Sequence, residues 1–136
     1  MSDSGAPMEV VAALIYRDDR LLVCQRKERD SFPLKWEFPG GKVERGEGPL
    51  GALRRELREE LGIEVQSARE VFRHAHSYSS GTEVELIFYR VKQYSGVVMN
   101  LVFQELLWVD KDEIQKLDFL EGDRPLIELI VRGELE

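Results

Sequence analysis

Residues 41–63 read GKVERGEGPLGALRRELREELGI, and the fold and the chemistry both turn on this stretch. Leu50, Leu53, Leu57 and Leu61 recur at three- and four-residue spacing, which gathers them into one apolar stripe on a helix. Pro49 suits the first turn, and Gly62 suits the left-handed residue that ends a helix. The spacing therefore predicts a helix over 49–61. Away from the leucines, Glu56, Glu59 and Glu60 are three and four residues apart, so their Cβ atoms lie about 5–6 Å from one another. Like charges that close repel, and such a face persists when it is solvated or when a cation bridges it. Hard cations such as Mg²⁺ prefer oxygen ligands and often bind through one or two carboxylates plus substrate phosphates. Arg54, Arg55 and Arg58 lie among the acids and can orient or neutralise them. By itself the helix reads as a solvated charged face with internal ion pairs. Its context changes that reading. Gly40 and Gly41 allow backbone to approach a ligand closely, and Glu47 returns another carboxylate toward the same face.

Outward from the helix, the pattern is of strands. Residues 9–16 (EVVAALIY) and 21–25 are apolar and β-branched around the polar turn 17–20, which predicts a hairpin. A charged loop over 27–35 carries Pro33. Residues 36–38 are briefly extended before Pro39-Gly40-Gly41 stops them. Strands are expected over 71–76, 83–91 and 106–109, and short helices over 110–117 and 124–132. Strands, helix, strands and helix in that order predict an α+β or mixed α/β sandwich.

Composition sets the limits. A chain of 136 residues suits one domain, here 8–136, with 1–7 expected as a disordered tail. No apolar run is long enough to span a membrane, and the start lacks the basic-then-apolar pattern of a secretory signal. The one cysteine, Cys24, excludes an internal disulfide and a cysteine-built metal site. These features point to the cytoplasm. A net charge of −7 argues against duplex nucleic acid as a partner. Acidity is awkward for binding a polyphosphate, unless divalent cations stand between protein carboxylates and phosphates.

Gly41, Glu47 after five residues, Arg55-Glu56-Leu57 after seven, then Glu59-Glu60, Gly62 and Ile63 resemble the complete Nudix box. Residues 36–42, WEFPGGK, are similar to the lead-in of the MutT-type branch, and the resemblance runs from about residue 9 to about residue 130. It implies the α+β Nudix fold, a mixed β-sheet sandwiched between helices with the box as loop, helix and loop. It implies Mg²⁺, with Mn²⁺ as a substitute, and hydrolysis of a nucleoside diphosphate linked to a second group. In the MutT-type branch that means a nucleoside triphosphate released as monophosphate and pyrophosphate, including oxidised or modified nucleotides. Nucleotide sugars, dinucleoside polyphosphates and a non-catalytic nucleotide-binding module stand as alternatives. The oligomeric expectation is a monomer or homodimer.

By position, the resemblance makes Glu56, Glu59 and Glu60 metal ligands, with Gly41 and the neighbouring Gly40 carbonyl beside them. Arg55 would hold the acids and Glu47 would support the cluster. Arg26 and Lys42 would meet the substrate. Hydrolysis needs water delivered at the β-phosphorus and a carboxylate to take its proton. Val102 stands where MutT-like enzymes often place an acid, which leaves Glu105, Glu56 and Glu47 as candidates for that base. Residues 119–127 resemble the segment that reads the base, with Asp123 in place of an asparagine. An ionised carboxylate only accepts hydrogen bonds, so Asp123 would favour the donor-bearing edges of cytosine, guanine or adenine; it is also a good helix cap. Tyr78 and Phe38 are candidates to stack on the base or to fill the core. His74 and His76 share a strand face and read as polar surface or pocket lining rather than a zinc pair.

Overall fold

In the computed structural model, which describes residues 7–135, strand β1 (Met8–Leu14) is buried from Val11 to Leu14. It has a neighbour on each edge and a core on each face. β1 pairs in parallel with β7 (Glu83–Ser95) and antiparallel with β5 (Gly40–Lys42), and β7 pairs antiparallel with β6 (Glu64–Ser77). The mixed sheet thus has the order β5-β1-β7-β6. Strand alternation divides its side chains between two cores. Val11, Ala13 and Ile87 pack with Ala52, Leu53, Leu57 and Leu61 of helix α1 (Pro49–Leu61). Ala12, Leu14, Leu86 and Phe88 pack with Ile114 of α2 (Lys111–Ile114) and with Leu126 and Ile127 of α3 (Arg124–Val131). The sheet is therefore sandwiched between helices, as expected. The tail expected at 1–7 lies, apart from Pro7, outside the described residues.

A second sheet forms around β3 (Arg20–Gln25). It pairs along its length with β8 (Glu105–Val109), and toward its two ends with β2 (Tyr16–Arg17) and β4 (Trp36–Glu37). Several boundaries differ from the sequence expectation. The strand expected over 9–16 breaks at Ile15, and its last residue belongs to β2 in the other sheet. Gly40–Lys42, expected only to stop a strand, is itself one. The strand expected over 71–76 runs from Glu64 to Ser77 with register shifts along it. Asp110 caps α2 by accepting from the N–H groups of Asp112 and Glu113, while Glu113 accepts from the Asp110 N–H. This capping box starts a helix that ends at Ile114, three residues before the expected end.

One long-range link sets up the site. The Trp36 N–H donates to Asp118 O at 2.9 Å, and the Leu120 N–H donates to Trp36 O at 3.0 Å. Residues 118–120 thereby run beside β4, and the short 3₁₀ turn Glu121–Asp123 is delivered next to Phe38. Among the described residues, no helix is long and apolar enough to cross a membrane.

Candidate active site

Helix α1 starts at Gly48–Pro49 and ends on Gly62, whose φ of +70° is the left-handed conformation expected of a C-terminal glycine. Across from its leucine stripe, the acids meet the glycine strand. A Cβ on Gly40 would lie 2.0 Å from the Val11 carbonyl oxygen, and one on Gly41 would lie 2.2 Å from Glu56 Oε2. Gly41 thus makes room for the Glu56 carboxyl. The Gly40 N–H donates to Glu60 Oε1 at 3.1 Å. The carboxyls of Glu56 and Glu60, one helical turn apart, lie against each other, and burial first, then Glu56, push Glu60 well above the ordinary carboxyl range. Two carboxyls in contact share a proton or need a cation.

Arg55 organises the remaining acids. Its Nε donates to Glu47 Oε2 and its Nη2 to Glu47 Oε1, both at 2.9 Å. Nη2 also donates to Lys42 O at 3.0 Å, and Nη1 reaches Glu56 at 3.3 Å and Glu59 at 3.5 Å. The Arg55 bonds, then a bond from the Glu44 N–H, bring the Glu47 carboxylate down to about 2. The Glu59 side chain is 58% exposed. Among the described residues, no three acidic, histidine or cysteine side chains already surround a single point. What the site offers is an all-oxygen donor set in which Glu56 and Glu60 are pressed together. That set fits a hard dication, which would take the place of the shared proton.

The glycine strand and Glu60 border a cavity of about 620 Å³ that also takes in Arg26, Phe32, Glu37, Phe38, Lys42, Tyr78, Val102 and Asp123. The size suits a nucleotide-like ligand. Asp123 is 6% exposed and makes no capping bond to α3, so the cap alternative is not realised. Burial first, then the nearby Glu37, raise its carboxyl well above the usual range, opposed by the Phe38 N–H. Tyr78 beside it is pushed up to about 12 by burial and then by Asp123. The Phe38 ring is 3% exposed and packs on Phe88 and Phe119 at 6.2 and 5.4 Å. The ring thus belongs to the core, and the part of Phe38 that faces Asp123 is its backbone N–H.

Arg26 is committed to the protein. Its Nε and Nη2 donate to Ser31 O and Oγ at 2.7 and 3.1 Å, and its Nη1 bonds both oxygens of Glu37 at 3.1 and 3.2 Å. Sequence reasoning gave Glu37 no role, yet it lies in the cavity wall under the electrostatic influence of Arg26, Glu56, Glu60 and Asp123. Burial, only partly offset by Arg26, raises it to about 7. The available signal was an acid between the large apolar residues Trp36 and Phe38. Val102 does line the cavity, whereas Glu105 opens β8 opposite Gln25 and does not. His74 Nε2 donates to Gly122 O at 2.8 Å, and His76 Nε2 is 3.8 Å from Glu121. His74 therefore braces the turn that carries Asp123, while His76 packs beside Gly122 with its buried Nε2 unbonded among the described residues, and the two show no metal-like convergence.

This arrangement has counterparts. The family model described as NUDIX domain matches residues 6–130. CTP pyrophosphohydrolase of Escherichia coli (strain K12) is 39% identical over 121 residues, covering 89% of this chain and 89% of the relative. 8-oxo-dGTP diphosphatase of Haemophilus influenzae is 35% identical over 119 residues, covering 86% and 87%. Among solved structures, the MutT NUDIX hydrolase from Burkholderia pseudomallei superposes with a TM-score of 0.82 at 28% identity, over 90% of this chain and 97% of that one.

Proposed function

This chain belongs to the Nudix family and is a MutT-type pyrophosphohydrolase acting on nucleotides, and we propose that it hydrolyses a ribo- or deoxyribonucleoside triphosphate to the monophosphate and pyrophosphate in a Mg²⁺-dependent reaction. The observation that carries this reading is the paired Glu56 and Glu60 carboxyls beside Gly40 and Gly41, at the edge of a cavity that Asp123 also lines. Glu56, Glu59 and Glu60 would hold the metal, with Gly40 and Gly41 giving it backbone access. When bound, Mg²⁺ supplies charge neutralisation at the phosphate oxygens and acidifies water.

The chain's own residues account for the rest. Arg55 fixes the helix acids against Glu47 and the Lys42 carbonyl. Of the three candidates for the base, Glu47 is weakened by its bonds to Arg55, and Glu105 opens β8 opposite Gln25, whereas Glu56 lies against Gly41 and Glu60. Glu56 is left to take the proton from water as it attacks the β-phosphorus. Lys42 lines the cavity and would meet a phosphate there. Arg26 acts through Glu37 and the loop at Ser31, positioning the wall against which the nucleoside rests.

Asp123 would read the base. The acceptor-only expectation changes here, because a carboxyl this buried keeps its proton to higher pH. A protonated carboxyl offers an acceptor and a donor side by side, a pattern that pairs with the N4 amino group and N3 of cytosine. The test is Mg²⁺-dependent pyrophosphate release from a triphosphate panel headed by CTP and 8-oxo-dGTP, the nucleotides named in two relatives. Pyrophosphate from none of the panel would overturn the reading. Asp123→Ala is expected to raise KM by about 5- to 150-fold, the equivalent of about 1–3 kcal/mol for an orphaned polar contact. Asp123→Asn keeps a donor and an acceptor, so it should stay near wild type at neutral pH. Wild-type KM should climb as Asp123 ionises at high pH, while the Asn variant should not follow. An Asn variant as impaired as Ala would rule out the protonated role.

A further inference from the structure

Phe32 is a large apolar residue that the fold holds in an unfavourable place. Its side chain is 43% exposed, and its φ of +52° is a conformation that bulky side chains rarely adopt. Leu34, two residues on, repeats both features at 40% exposure and φ +61°. Burial gains for these side chains do not explain the conformation, since both remain half in solvent. The surrounding polar bonds enforce it. Asp30 Oδ2 accepts from the Lys27 N–H at 2.9 Å, Arg26 clamps Ser31 by two bonds, and Gln25 Nε2 holds Leu34 O at 3.2 Å. The Lys35 N–H closes the turn on Phe32 O at 3.3 Å. Strain imposed by so many local bonds points to a use for the residue it displays.

The use follows from what Phe32 touches. Its ring packs on Tyr78, with centroids 5.1 Å apart and planes tilted by 45°, and Tyr78 is backed edge-on by His76 at 4.5 Å. A Cβ on Gly122 would lie 3.0 Å from the Tyr78 hydroxyl, so Tyr78 reaches the residue before Asp123. Phe32, Tyr78 and Asp123 therefore lie near one another in the cavity wall, which the glycine strand and Glu60 also border. An exposed aromatic ring in that setting is a stacking platform, because every nucleobase has a π-face. We propose that Phe32 is a substrate-binding residue on which the nucleobase stacks, which makes the 27–35 loop a determinant of nucleoside affinity. This rests on the reading that Asp123 meets the base while the acids face the phosphates.

The experiment compares a nucleoside triphosphate with ribose 5-triphosphate, which lacks the base, in wild type, Phe32→Ala, Phe32→Leu and Phe32→Trp. Phe32→Ala is expected to lower the ratio of kcat/KM for the nucleotide over the base-free compound by about tenfold, within the range for base–aromatic stacking. The loss should fall in KM rather than kcat. Phe32→Trp should restore the ratio, and Phe32→Leu, which keeps bulk without a ring, should not. An unchanged ratio in Phe32→Ala, or rescue by Leu equal to rescue by Trp, overturns the proposal. If wild type fails to distinguish the two compounds, the assignment of the nucleoside to this end of the cavity falls first, and Phe32 with it.

Discussion

Glu59→Gln is expected to lower kcat by about 10²–10⁴-fold while the melting temperature of the metal-free protein stays within about 2 °C of wild type. The second half comes from geometry. Glu59 is 58% exposed and its ion pair among the described residues is with Arg55, at 3.5 Å, and an exposed pair of that kind contributes little to stability. Arg55 also keeps its two 2.9 Å bonds to Glu47, so the loop before the helix stays anchored. The first half comes from chemistry. A metal at these acids supplies several kcal/mol of charge stabilisation to phosphoryl transfer, and each 1.4 kcal/mol or so is a factor of ten. Steady-state pyrophosphate release with saturating Mg²⁺, alongside thermal melts without it, separates the two effects. Wild-type turnover in the variant would remove Glu59 from the site. A large fall in Tm would mean that its role is structural.

The parts of this molecule that were legible in the sequence are those governed by local rules. Helix α1 was readable because its leucine period, Pro49 and Gly62 all agree, and the structure buries Leu53, Leu57 and Leu61 completely. β6 was read too short because residues 64–70 carry polar side chains along an edge strand, where β7 supplies the backbone partners whatever the side chains are. β5 was missed because Gly40 and Gly41 look like a terminator, and only Val11 and Ala12 opposite them make a strand there. Asp123 shows the conflict most clearly. Locally, an acid before Arg124-Pro125 is a helix cap. The pairing of residues 118–120 with Trp36, which no local window contains, turns it into the cavity instead. Glu37 was overlooked for the same reason, since its partners Arg26 and Asp123 are 11 and 86 positions away in the sequence. Those contacts exist only after the two sheets have formed.

Glu60→Gln should lose activity as Glu59→Gln does, but with a gain in metal-free stability rather than none. In the metal-free protein Glu60 is buried against Glu56, so the folded state holds a proton that the unfolded chain releases at ordinary carboxyl pH. With the folded pKa raised, its contribution is fully present below the unfolded value and is lost as pH climbs through the folded one. Glu37, raised to about 7 by burial, adds to the same decline. Metal-free stability is therefore expected to fall from pH 5 toward pH 9. Glutamine removes the ionisation at residue 60 but keeps an oxygen to accept from the Gly40 N–H and gains an N–H to donate to Glu56. The variant should melt a few degrees higher than wild type at pH 8 without metal, with a flatter dependence on pH. It should also lose most of the Tm increase that Mg²⁺ or Mn²⁺ gives wild type, because a ligand stabilises only the state that binds it. Turnover should drop by about 10²–10⁴-fold, as for Glu59. Melts from pH 5 to 9 with and without 5–10 mM metal, a range of roughly ordinary assay concentrations, test all three at once. A variant that melts lower than wild type at pH 8 would mean that the Glu56–Glu60 contact stabilises the fold. An undiminished metal-induced shift would mean that the cation binds elsewhere.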